Sequence, residues 1–198
     1  SLLGVPLCAT RLYLDGIQVD QGFRTQFLSR MAESVSHRDM NYVDLPSYYP
    51  LGWFWLGGRM ANLLHMPGWE VYQPWALVSI ATAAAMLTPL WRRLTGSLPA
   101  AGAVAIITTA IVLTEAPVEP YAAIVAMFFP AAAVGARRAV AGSWPATVAV
   151  TLYLGVSATF YTLFTAVGAL TVVVFALIAA LTKREPAAGA KGWWTPIR

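Results

Sequence analysis

The sequence predicts an all-α protein, a polytopic bundle of transmembrane helices that follows a long polar loop. Apolar residues make up 58% of the 198 residues and charged residues only 11%, whereas a soluble domain carries roughly 25% charged residues. Four stretches contain no Asp, Glu, Lys or Arg: residues 71–91, 94–114, 120–136 and 139–182. Because a helix needs about 20 apolar residues to cross a bilayer, these stretches predict an integral membrane protein.

The charges assign the two ends of the bundle to opposite sides of a membrane. Basic pairs follow alternate apolar stretches, at Arg92-Arg93, Arg137-Arg138 and Lys183-Arg184. Lys and Arg are retained on the cytoplasmic side, so we expect a multi-pass plasma-membrane protein whose carboxylates gather outside. The net charge of +4 therefore reflects membrane orientation and does not indicate a nucleic-acid partner.

The first 71 residues precede the long spans. Residues 1–10 are apolar but too short to cross a bilayer, so we interpret them as the end of a truncated span in a fragment of a larger protein. Residues 11–71 are predicted to form an extracytoplasmic loop. One amphipathic juxtamembrane helix is expected in it, lying flat among the headgroups, from apolar residues at helical spacing: Phe23, Phe27, Leu28, Met31 and Val35. A second segment, residues 50–65, is rich in aromatics and predicts an interfacial or re-entrant element.

Five transmembrane helices are predicted over residues 72–182. The first three cover residues 72–91, 98–114 and 121–136. The stretch 144–182 is too long for one span, and we divide it near Tyr161. Residues 183–198 then form a cytoplasmic linker.

Metal and disulfide chemistry have little support in the sequence. Cys8 is the single cysteine, which excludes an internal disulfide, and its apolar neighbours predict a buried side chain. His37 and His65 lack metal-ligand spacing. We therefore expect no metal site and no cofactor; a divalent cation is possible but not indicated.

Two carboxylates precede the amphipathic helix. Asp15 and Asp20 are five residues apart. Asp20 is placed to cap the helix, a role worth about 1 kcal/mol. A carboxylate in a half-dry cleft also serves as a general base, and the two roles are compatible because a helix terminus is a rigid support.

Cations and aromatics share the loop with these acids. Five cations suggest a phosphate site, because Arg binds phosphate in a bidentate manner. They are Arg24, Arg30, His37, Arg38 and Arg59. The alternative is a solvated helix face that pairs with Glu33 and Asp39.

Five aromatic residues of the loop either stack on sugar rings or anchor the chain at the interface. They are Tyr42, Tyr48, Tyr49, Trp53 and Trp55. Glu115 and Glu119 either face this loop or only solvate their own.

Four segments resemble the amino-terminal membrane region of the galactan 5-O-arabinofuranosyltransferase (AftA) family of mycobacteria and their relatives. They are residues 20–31 (DQGFRTQFLSRM), 39–42 (DMNY), 47–59 (SYYPLGWFWLGGR) and 67–76 (PGWEVYQPWA). The resemblance implies a membrane glycosyltransferase of GT-C type, with decaprenyl-phosphoryl-arabinofuranose as the polyprenyl-phosphate donor. It implies a galactan hydroxyl as the acceptor in cell-wall arabinogalactan synthesis, and an essential carboxylate in the first outer loop.

The resemblance also suggests roles for individual residues. Asp20-Gln21 with Arg24 fits the first-loop arrangement common in the wider GT-C class better than Asp15-Gly16 does. Asp20 is therefore the expected base in an inverting single displacement, and Asp15 is the second candidate. Gln21 stands where a second acid is often found, which argues against metal assistance. The expected donor-phosphate ligands are Arg24, Arg59 and His37. The expected substrate contacts are Gln21, Tyr48, Tyr49, Trp53, Glu115 and Glu119.

Two other functions are compatible with the pattern. A lipid-linked sugar flippase or transporter would place ionisable groups or broken helices near the midplane, and the uncharged spans argue against ion coupling. A structural membrane subunit is the third interpretation, and the dense polar loop is only weak evidence against it.

Overall fold

A computed structural model describes residues 3–42 and 44–182 of the chain. Within these ranges the chain forms eight α-helices, and an isolated bridge between Arg38 and Pro46 is the sole β-type pairing. The all-α prediction is therefore confirmed. The helices are α1 Gly4–Leu7, α2 Val19–Glu33, α3 Gly52–Leu64, α4 Gly68–Thr95, α5 Leu98–Glu115, α6 Pro120–Val140, α7 Trp144–Phe160 and α8 Thr162–Thr182.

Four of these helices, α4, α5, α6 and α8, are long and apolar enough to cross a membrane. The fifth predicted span, α7, is apolar but has 17 residues. The break predicted near Tyr161 is confirmed, because α7 ends at Phe160 and α8 begins at Thr162. The predicted linker, residues 183–198, lies outside the described residues.

Helix α6 lies at the centre of the bundle and packs against α4, α5, α7 and α8. Its buried positions include Ala122, Ala123, Ala131 and Ala136, and small residues allow helices in a membrane to approach closely. The basic ends of α4 and α6 meet, since Arg138 Nη2 donates to the carbonyl of Leu94 at 3.3 Å. Both helices therefore run in the same direction and begin towards the opposite end of the bundle.

Helix α2 packs against α3 and α4, and its apolar face is covered by protein. The side chains of Phe27, Leu28 and Met31 are 0% exposed. Glycines make this contact possible: a Cβ on Gly58 would lie 2.5 Å from the carbonyl carbon of Met31, and one on Gly68 would lie 2.5 Å from Ser29 Cα. The helix expected among the headgroups is thus docked backbone to backbone on its neighbours.

Cys8 corrects another expectation. Its side chain is exposed, and Sγ donates to the carbonyl of Val5 at 2.9 Å. The prediction of a buried thiol was wrong because α1 is only four residues long and Cys8 lies at its C-terminal end, where no second element covers it.

Candidate active site

The polar segment before α2 and the turn between α5 and α6 meet at one end of the bundle. Tyr13 Oη donates to the carbonyl of Pro117 at 2.7 Å, and Arg24 contacts Glu119. An open cleft of about 580 Å³ lies between the two segments. Its lining residues are Asp15, Gln18, Val19, Asp20, Gln21, Arg24, Val118 and Glu119.

Arg24 is the buried cation of this cleft, with a side chain only 8% exposed. Its Nε donates to Tyr121 Oη at 3.0 Å, its Nη1 to Gln21 Oε1 at 3.2 Å, and its Nη2 to Glu119 Oε1. Burial lowers the pKa of Arg24, but Tyr121, Glu119 and Tyr72 together raise it by more, so the pKa lies above its ordinary value. The guanidinium is therefore charged at any physiological pH.

The hydrogen bonds of Arg24 leave part of its donor capacity unused. A guanidinium carries five N–H groups, one on Nε and two on each terminal nitrogen. Three are engaged by Tyr121, Gln21 and Glu119. Asp20 Oδ2 lies 3.9 Å from Nη2, beyond hydrogen-bonding distance. One N–H on each terminal nitrogen thus remains for a ligand.

Asp20 lies in the first turn of α2, with its side chain 82% exposed. The N-cap is Gln18, whose carbonyl accepts from the Gly22 amide at 2.7 Å. The prediction that Asp20 caps the helix was wrong because the helix begins at Val19. A carboxylate in the first turn still interacts favourably with the helix dipole, and the cleft-facing end of α2 fixes its position.

Asp15 reaches the same cleft through a turn. Its φ of +65° and that of Gly16, +62°, are both in the left-handed region, which Asp tolerates better than most residues. The cleft therefore holds three carboxylates, from Asp15, Asp20 and Glu119. Among the described residues, no group of three or more His, Cys, Asp or Glu side chains is arranged to hold a metal ion.

Gln21 connects the site to the core. Its side chain is buried, with Nε2 donating to the carbonyl of Leu14 at 3.0 Å. Its Oε1 accepts from Arg24 at 3.2 Å and from Tyr72 Oη at 3.4 Å. Both ends of the amide are satisfied by protein, so Gln21 orients Arg24 in this conformation.

Tyr121 is the site residue that sequence reasoning missed. Its ring is 0% exposed, and its hydroxyl lies 2.6 Å from that of Tyr49 and accepts from Arg24 Nε. Tyr49 is thereby placed in the network behind the cleft. Tyr121 was missed for two reasons. A tyrosine at the start of a span is typical of the aromatic belt, and its partner Arg24 is 97 residues away in the chain.

Arg59 lies elsewhere, at the last turn of α2. It donates to the carbonyl oxygens of Met31 and Ala32 and stacks 5.7 Å from the centroid of the Trp55 ring. Its partner is the negative end of a helix dipole. Asp20 and Met31 are 11 positions apart in α2, about 17 Å along the axis, so Arg59 and Arg24 do not converge on one ligand in this conformation.

The remaining predicted residues do not line the cleft. Trp53 is 1% exposed and donates from Nε1 to Ser79 Oγ at 3.1 Å, so its ring presents no open face to a sugar. Tyr48 is 84% exposed. His37 and Glu115 are also exposed, His37 beyond the end of α2 and Glu115 at the end of α5.

Comparisons with known proteins identify the family of the chain. A family model described as the arabinofuranosyltransferase N terminal matches residues 1–195. The galactan 5-O-arabinofuranosyltransferase of Corynebacterium glutamicum is 59% identical over 186 residues, which are 93% of this chain and 28% of that protein.

Mycobacterial relatives of the same name are similar over the same region. The protein of Mycobacterium tuberculosis is 45% identical over 184 residues, 90% of this chain and 28% of its own length. That of Mycolicibacterium smegmatis is 44% identical over 191 residues, 92% of this chain and 30% of its own length. The chain thus spans less than a third of these relatives. It belongs to the arabinofuranosyltransferase N-terminal family.

Proposed function

We propose that this chain supplies the donor-binding and catalytic part of a membrane arabinofuranosyltransferase. The proposed reaction transfers arabinofuranose from a polyprenyl-phosphate donor to a galactan hydroxyl at the outer face of the plasma membrane. The names of the relatives provide the sugar and the acceptor. The observation that carries the proposal is the cleft in which the pre-oriented Arg24 lies beside the carboxylates of Asp20 and Asp15.

The depth of the cleft suits a lipid phosphate. Helix α6 has 21 residues, roughly 31 Å at 1.5 Å per residue, which matches the hydrocarbon thickness of about 30 Å. Glu119, immediately before α6, therefore lies at headgroup depth. Arg24, which bonds to Glu119, is at the same level as the phosphate of a membrane-embedded donor.

We assign Arg24 the role of phosphate anchor. It has two remaining N–H groups, one on each terminal nitrogen, and Arg binds phosphate through two such donors. Because Tyr121, Gln21 and Glu119 already hold the guanidinium, little reorganisation is needed when the leaving group gains charge. A phosphate is a competent leaving group without protonation, so the site needs no protein acid on the donor side.

Asp20 is the proposed general base. The acceptor hydroxyl gives its proton to the carboxylate while its oxygen attacks the anomeric carbon. The bond from that carbon to the phosphate oxygen breaks, its electron pair stays with the phosphate, and configuration inverts. The 82% exposure of Asp20 leaves room for an acceptor that arrives from water. Asp15, on the same cleft, is the second candidate.

The test is the Asp20→Asn variant of the full-length protein in native membranes. We expect transfer of arabinose from the lipid donor to a galactan acceptor to fall by about 10²- to 10⁴-fold, with donor binding retained. Asp44→Asn, an exposed acid that does not line the cleft, is the control. Unchanged transfer would refute the role of Asp20, and a matching loss in Asp15→Asn instead would assign the base to Asp15.

A further inference from the structure

A second open cleft, of about 430 Å³, lies beside α2, and none of its lining residues lines the first one. The lining residues are Thr25, Gln26, Ser29, Arg30, Glu33, Met40 and Trp69. Five of the seven lie on α2, on a side of the helix different from its fully buried residues. The lining combines one large aromatic ring with hydroxyl, amide and charged groups.

We propose that this cleft binds a neutral saccharide, namely a part of the galactan acceptor remote from the reacting hydroxyl. The inference rests on the proposed function for the identity of the polysaccharide. A site of this kind needs a rigid aromatic face, unpaired hydrogen-bonding groups and access from water, and the second cleft has all three.

Trp69 supplies the aromatic face. Its residue is 42% exposed, so a large part of the indole is open. Its neighbour Gly68 packs against α2 so closely that a Cβ there would lie 2.5 Å from Ser29 Cα. Trp69 is thereby held at a fixed distance from α2, and the C–H groups of a sugar ring are attracted to the negative face of such a ring.

Arg30 supplies an unused donor. Its Nε is buried and has no hydrogen-bond partner among the described residues. A buried donor without an acceptor costs about 1–3 kcal/mol, which a ligand oxygen would recover if it reached this position. Gln26 and Glu33, both exposed on the same cleft, add an amide and a carboxylate that can bind hydroxyl groups.

The depth of the cleft favours a saccharide over a lipid headgroup. Arg30 and Glu33 bring opposite charges to one lining, so the cleft has no excess of either sign. Trp69 is 23 positions before Arg92 in the same helix, roughly 34 Å along the axis. If Arg92 marks one edge of the hydrocarbon core, which is about 30 Å thick, Trp69 lies beyond the other edge, on the water side.

The distance from Asp20 explains why the bound sugar would be remote. The lining positions from Thr25 to Glu33 are 5 to 13 residues beyond Asp20 in α2, roughly 8–20 Å along the axis. A polymer that reacts at Asp20 would reach this cleft with a sugar further along its chain. Contacts there therefore strengthen the binding of long acceptors and leave short ones unaffected.

The test compares acceptor lengths in the full-length protein. With the Trp69→Ala variant, we expect the KM for a long galactan oligosaccharide to rise about 3- to 10-fold, while KM for a disaccharide acceptor and for the lipid donor stays unchanged. Trp144→Ala is the matched control, because Trp144 is 74% exposed at the start of α7, at the other end of the bundle. Arg30→Met, which replaces the Nε donor with a methyl group on an unbranched side chain, should reproduce the length-dependent effect if Trp69→Ala is poorly folded.

Three outcomes would overturn the inference. They are an equal change in KM for long and short acceptors, no change for either, and a rise in KM for the lipid donor alone, which would indicate a headgroup contact. A wild-type protein without arabinose transfer would refute the proposed function instead. The saccharide-binding role of the second cleft would then be tested by measuring the affinity of the wild type and of Trp69→Ala for galactan oligosaccharides. Equal affinities would refute that role.

Discussion

Replacement of Arg24 by Lys separates the charge of this residue from its planar geometry. The guanidinium donates from three different nitrogens to Tyr121, Gln21 and Glu119, whereas an ammonium has one nitrogen. Lys can keep the pairing with Glu119 and lose the other two bonds. Each is worth about 0.5–1.5 kcal/mol, and neither acceptor is orphaned, because Tyr121 retains Tyr49 and Gln21 retains Tyr72. We expect a destabilisation of about 1–3 kcal/mol.

Arg24→Lys should impair transfer as well as stability. The substitution removes the pair of N–H groups that remain for bidentate binding of the donor phosphate. Lys binds phosphate only as a point charge. Losing one charged hydrogen bond, about 1.5–3 kcal/mol, corresponds to roughly a 10- to 150-fold fall in kcat/KM. The assay is the initial rate with varied lipid donor, alongside thermal unfolding in detergent.

Arg59→Lys is the matched control for Arg24→Lys. Its guanidinium contacts the carbonyl groups at the end of α2, so we expect lower stability with near-normal transfer. The reasoning would be refuted if Arg24→Lys kept wild-type kcat/KM, or if Arg59→Lys lost transfer as strongly. The second result would restore Arg59 to the donor-phosphate role that the sequence suggested.

Two further predictions concern the packing that positions the cleft. Gly58→Ala should destabilise the fold by about 1–3 kcal/mol, because its Cβ would lie 2.5 Å from the carbonyl carbon of Met31. Gly102→Ala is the control and should not destabilise the fold, because its Cβ would meet nothing within 4 Å. Equal unfolding temperatures for these two variants would contradict this packing. Trp53→Ala should cost about 3–5 kcal/mol, since the ring is 1% exposed. A Trp53→Ala protein with normal stability but raised KM for the acceptor would instead support the sugar contact expected from the sequence.

The helices were predictable because apolar runs and breaks are local features. The split at Tyr161 follows from the length of the run 144–182, and α7 and α8 divide there. The docking of α2 was not predicted, because its apolar face has the same pattern whether lipid or protein covers it. The glycines at 57, 58 and 68 were the available signal, since small residues mark close helix contacts.

The site was predictable only where its members are close in sequence. Asp20, Gln21 and Arg24 share one helical turn, and the structure places them on one cleft. Tyr121, which accepts a hydrogen bond from Arg24, lies on another helix. A single sequence does not show that two residues so far apart in the chain are in contact. Arg59 was assigned to phosphate because it needed a negative partner, but two backbone carbonyl groups at the end of α2 fill that need.

A structure of the full-length protein with a bound, non-transferable analogue of the polyprenyl-phosphate sugar tests the central claim most directly. The account predicts phosphate oxygens about 3 Å from both terminal nitrogens of Arg24, with the anomeric carbon facing the carboxylate of Asp20. A phosphate held by Arg59, or one at the basic end of the bundle near Arg92 and Arg138, would contradict it.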